Sequence, residues 1–114
     1  MACSIGNSGG GMKEIPFTNN ELWSDFYNRM TADNYDYYVV CFLTTANDGY
    51  KHMGTTIMTC EYLDKMNTDA KYEVSIILIY GANNLALRYL RRYVGDQGNL
   101  VVGYDLYKIY GVKL

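Results

Sequence analysis

Tyr72-Glu73-Val74-Ser75-Ile76-Ile77-Leu78-Ile79-Tyr80, then Gly81-Ala82-Asn83-Asn84, then Leu85-Ala86-Leu87-Arg88-Tyr89-Leu90-Arg91-Arg92-Tyr93-Val94-Gly95, is the stretch whose reading decides the fold. Its first part is dense in β-branched and aromatic side chains and predicts a strand over 72–80. Gly81-Ala82-Asn83-Asn84 is a turn, and Asn83 or Asn84 is placed to cap a helix by accepting a backbone N–H. Beyond it, Leu87, Leu90 and Val94 fall at helical spacing with Ala86 and Tyr93 beside them, and Gly95 offers a left-handed stop. A last strand over 100–110, with Gly103 as a bulge, would then be reached by a right-handed crossover and lie parallel to the first.

Upstream, Thr18-Asn19-Asn20-Glu21 matches a capping box, and Phe17 and Leu22 are spaced as a hydrophobic staple. Leu22, Phe26 and Met30, with Trp23 and Tyr27 alongside, predict an amphipathic helix over 19–31, with Asp25 and Arg29 paired on its wet side. Residues 35–44 predict a strand whose two alternating sets are both apolar after Asp36, so both of its faces are expected to be covered. Asn47-Asp48-Gly49 is a hairpin turn leading to a more polar, half-exposed strand over 50–59. Thr59 caps a short helix over 60–66 with Leu63 and Met66 inward, ended by Asn67-Thr68-Asp69. The order is α–β–β–(α)–β–α–β. The expected fold class is α+β, a two-layer sandwich in which helices cover one face of a mixed four-stranded sheet.

The length of 114 residues fits one domain, expected over 12–114. Residues 1–11 read as a Gly/Ser-rich flexible lead, native or appended, with Met12 as an alternative start. The hydrophobic share of 49% is enough to build a core, which argues against disorder. A net charge of −2 gives no global attraction to nucleic acid and no basis for charge mimicry of it. The sequence has no apolar run long enough to span a bilayer and no signal-peptide pattern at its start. Cys3, Cys41 and Cys60 are odd in number and lack metal-ligand spacing. They read as reduced thiols in a cytoplasmic setting.

Several constellations invite chemistry. Arg88, Arg91 and Arg92 stand at i, i+3 and i+4 and would share one helix face, a fork suited to phosphate or carboxylate. Asn83 and Asn84 would sit beside them at an anion-friendly helix start. The alternative is a solvated face with Glu73 or Asp96 as salt-bridge partners. His52, the only histidine, is too far along its strand from Cys60 to pair with it, and could meet Cys41 only if the hairpin register allowed. The acidic residues form no close pair on any well-defined element, and neither a metal nor another cofactor is expected.

The chain holds 13 Tyr but only one Trp and three Phe. Tyrosine is favoured on binding surfaces for its large, stiff contact area, although strands and an AT-rich coding sequence also favour it. The functional expectation is therefore a small non-catalytic interaction or inhibitor-type protein. It would act on a protein partner or on itself through a Tyr-rich surface that includes Tyr104, Tyr107 and Tyr110. Its size and composition would suit a phage or mobile-element product. The alternative is a small anionic-ligand binder, for a nucleotide or phosphate, built on Arg88, Arg91 and Arg92. Nucleic acid and membrane are not expected partners.

Overall fold

The computed structural model of the protein describes residues 10–45, 49–79, 85–92, 100–102 and 106–114. Among them the order is β1 (Gly11–Ile15), α1 (Trp23–Thr31), β2 (Tyr37–Thr45), β3 (Lys51–Thr59), α2 (Cys60–Thr68), β4 (Glu73–Ile79), β5 (Leu85–Arg92), β6 (Leu100–Val102) and β7 (Leu106–Lys113). The strands form two sheets, β1-β7-β2-β3 and β4-β5-β6. Every pairing is antiparallel. The class is α+β, as expected, but the four-stranded sheet is not mixed and no parallel crossover joins its strands.

The overturned element is the helix after Asn84. Residues Leu85–Arg92 form β5, which runs back along β4 as a hairpin partner. The segment carries apolar and Arg residues that satisfy a period of two about as well as one of 3.6. Cross-strand pairing separates the two readings. Val74 faces Leu90, joining two core side chains, and Glu73 faces Arg91, joining opposite charges. Tertiary pairing thus overrides the local helical spacing. The expected last strand also divides: β6 pairs with β5, whereas β7 lies between β1 and β2 in the other sheet. Asn83, Asn84, Gly95 and Gly103 lie outside the described residues.

The capping box is half realised. The Glu21 carboxylate accepts from the Thr18 N–H at 2.6 Å, but it closes a turn ahead of the helix, which begins at Trp23. Arg29 donates to Glu21 at 2.6 and 2.7 Å and to the Pro16 carbonyl at 2.9 Å, so its partner is Glu21 and not Asp25. At α2 the cap and the inward face are as expected: the Thr59 hydroxyl accepts from the Tyr62 N–H at 3.1 Å, and Leu63 and Met66 are buried; the helix, however, runs through Asn67 and Thr68 and ends at Asp69.

Both helices lie on one side of the four-stranded sheet. Tyr38, Val40 and Phe42 of β2, Met58 of β3 and Ile109 of β7 form one core with Trp23, Phe26 and Met30 of α1 and Leu63 and Met66 of α2. Val74 and Leu90 bring the second sheet into the same core. Tyr38 anchors the centre, donating its hydroxyl to the Met30 carbonyl at 2.7 Å.

Burial raises the Tyr38 phenol well above its ordinary value of 10.0, and the nearby Cys60 and Asp64 add to it. Tyr27 is raised mainly by its hydrogen bond to Asp64, and Tyr35 mainly by burial. A phenol whose folded pKa lies above its unfolded one keeps its full contribution below the unfolded pKa. That contribution is lost as pH rises toward the folded value. Stability measured by urea unfolding should therefore decline from about pH 10 upward, in step with tyrosinate absorbance, and the Tyr38→Phe variant should decline less.

Gly111 pairs with Tyr38 beneath the Tyr35 ring, and a Cβ there would lie 2.5 Å from ring atoms. Gly111→Ala should cost about 1–3 kcal/mol in the same assay.

Candidate functional site

The alternation of β2 divides its residues cleanly. Tyr38, Val40, Phe42 and Thr44 point into the core, and Tyr37, Val39, Cys41 and Leu43 point the other way and are only half-buried. The register carries the outward row across the sheet. Val39 lies between Ile57 of β3 and Tyr110 of β7, and Cys41 lies between Thr55 and Lys108. Glu14 continues the Tyr110 row onto β1, and Met53 pairs with Leu43. The outer face is thus a field of Met12, Tyr110, Tyr37, Val39, Cys41, Leu43, Ile57 and Met53. Met53 is 81% exposed and Ile57 55% exposed. The expectation that both β2 faces are covered holds at one end of the face, where Val112, between Met12 and Tyr37 in the register, is 1% exposed; from Val39 to Leu43 the row is half-buried.

A register shift between Cys41 and Phe42 opposite β7 leaves Tyr107 as an extra residue, 54% exposed beside the outward row. Tyr107 and Tyr110, with Cys41, Leu43, Met53 and Thr55, border a shallow hollow of about 300 Å³ in the centre of the face. Lys108 stands 3.2 Å from Glu14, which holds its ammonium above the ordinary lysine pKa, and it lies 5.2 Å from the Tyr107 ring centre. Of the three tyrosines singled out from the sequence, Tyr107 and Tyr110 meet here, and Tyr104 lies outside the described residues. Sequence reasoning missed the aliphatic part: Val39, Leu43, Met53 and Ile57. Their signal was present in the alternation of the two hairpin strands, but the apolar outward row of β2 was taken for a buried one.

The three arginines do not converge. On a strand, Arg88 and Arg92 share the face of buried Leu90, and Arg91 points oppositely with Leu87 and Tyr89. Arg88 donates to the Thr44 hydroxyl at 3.2 Å. Arg92 donates to the Asn67 carbonyl at 2.8 Å and stands 6.0 Å from the Trp23 ring centre. Arg91 lies 3.1 Å from the Glu73 carboxylate and 3.7 Å from the centre of the Tyr89 ring. The helix-face fork is therefore replaced by three separate structural contacts, and the salt bridge with Glu73 is the one that the plainer reading named. Asn67 is the knot: its carbonyl, in the last turn of α2, takes Arg92, and its side chain accepts from the Trp23 indole at 2.8 Å.

The register also settles the cysteine–histidine question. Cys41 pairs with Thr55 and His52 with Thr44, so the thiol faces outward and the imidazole inward. The Cys60 thiol donates to the Tyr35 carbonyl at 3.2 Å. Among the described residues there is no cluster of three or more potential metal ligands, and no helix is long and apolar enough to cross a membrane. No family model, curated protein or solved structure matches the chain.

Arg92→Ala should lower stability by about 1–2 kcal/mol, through loss of a charged hydrogen bond to a helix C-terminus and of the contact with Trp23. Arg91→Ala removes a half-exposed pair and should cost less than about 1 kcal/mol. Urea unfolding of the two variants side by side checks the order; equal losses would contradict it.

Proposed function

We propose that the chain is a non-catalytic interaction protein whose working surface is the outer face of the four-stranded sheet. The observation that carries the reading is the half-buried apolar row on the central strand, flanked by exposed Met53, Ile57 and Tyr107. Single exposed apolar residues are ordinary on protein surfaces, whereas a contiguous apolar field on the pleat of a sheet marks a binding surface. The field mixes stiff aromatic rings with aliphatic side chains and contains a hollow, as interface centres do; its charged pair runs from Glu14 on the edge strand to Lys108 beside Cys41. Nothing in the described geometry favours the anionic-ligand alternative, since the guanidinium groups it would use are held in separate contacts.

The Met53→Lys/Ile57→Lys double variant should keep its unfolding free energy within about 0.5 kcal/mol, because both side chains are exposed. It should lose whatever protein the wild type retains in affinity capture from a host lysate, whereas Arg91→Glu should retain it. Equal retention by the double variant would overturn the reading.

A further inference from the structure

We infer that the occupant of this face is a second copy of the same chain, the two copies packed sheet against sheet about a two-fold axis. The inference rests on the reading of the outer face as the working surface and names its partner. Four strands spaced about 4.8 Å apart, with up to nine residues of about 3.3 Å each, give a footprint of roughly 500 Å². Two such faces remove on the order of 1,000 Å² from water, the lower bound for a biological interface and the size of a weak, reversible one.

The face carries both halves of a self-complementary contact. Ile57 stands out from β3, and the hollow bordered by Cys41, Leu43, Met53 and Tyr107 lies one repeat further along the same strands. A two-fold axis lying across the strands near Thr55 brings Ile57 of each copy toward the hollow of the other, as an isologous interface requires. Charge permits the pairing only as a cluster. Lys108 is level with Cys41 and Thr55, so the axis brings the two Lys108 ammoniums toward each other, each with its Glu14 carboxylate 3.2 Å away, and the four charges sum to zero, while Lys51 sits at the end of β3.

Mating two such faces brings the two four-stranded sheets into contact. The result is a sheet pair sealed between outer layers of helices and the second sheets, with Val39, Cys41 and Leu43 finally inside.

The full chain tests this by sedimentation over a range of concentrations, together with alkylation of its cysteines mapped by mass spectrometry. Cys60, whose thiol is engaged by the Tyr35 carbonyl, serves as the internal reference. The expected result is a concentration-dependent dimer in which Cys41 alkylation slows as dimer forms. Ile57→Lys should weaken the dimer at least about 30-fold, the scale of a central hot-spot residue, while leaving circular dichroism unchanged and, at concentrations where the wild type is monomeric, urea unfolding as well. A dimer indifferent to Ile57→Lys would overturn the inference. A monomer with freely alkylated Cys41 at every concentration would overturn it too, while leaving a different protein as the partner of the face. A monomer in which Cys41 is protected until residues 1–9 are deleted would overturn both the dimer and the interaction surface, since the chain would then cover itself.

Discussion

One-sided burial of β2 is the constraint on which the other contacts depend. Its inward row is sealed by α1 and α2, and the Tyr38 hydroxyl fixes the end of α1 through the Met30 carbonyl. Antiparallel β3 pairs with the whole strand and β7 with it as far as Phe42, so its position and register are fixed in the interior of the sheet. The price is an outward row of similar hydrophobicity that stays only half-buried from Tyr37 to Leu43. A strand can bury either side of its pleat only if a layer exists to receive it, and both helices are already committed to the other side.

The same commitment explains the second sheet. Its strands β4 and β5 lend Val74 and Leu90 to the core and are tied to it through Arg88 at Thr44 and Arg92 at Asn67. Arginines that look like a ligand fork in the linear chain thereby serve as spacers and caps between layers. Their long aliphatic stems reach across, and the guanidinium groups of Arg88 and Arg92 donate to the Thr44 hydroxyl and the Asn67 carbonyl.

Legibility in the sequence followed the range of the forces involved. Local chemistry was readable: the Thr59 cap, the inward Leu63 and Met66, the apolar stripe of α1 and the hairpin of β2 with β3. The β5 segment was not, because Leu87, Leu90 and three arginines fit both periods, and the choice is made by Val74 and Glu73 lying opposite in the partner strand. β1 was invisible for a related reason. Met12, Lys13 and Glu14 carry almost no pattern, and the strand exists because β7 offers an edge to pair with. The candidate face was half readable. Its Tyr107 and Tyr110 were suspected from composition, but whether an apolar row is covered depends on how many layers the chain can supply, which no window of sequence contains. The tyrosines divide accordingly. Tyr27, Tyr35 and Tyr38 donate hydroxyls to structural acceptors, and Tyr37, Tyr107 and Tyr110 dress the open side.

The rims of the sheet bear on how far any assembly could grow. β1 is five residues long and carries Lys13 and Glu14, and β3 begins at Lys51 and contains Gly54. Short or charged borders resist strand addition from a neighbour. Contact through the flat of the sheet consumes that surface in both participants, whereas contact through a border regenerates a border at each step. The layout therefore favours a finite, countable stoichiometry over fibre growth, so the chain can display an apolar plane in water without seeding a polymer.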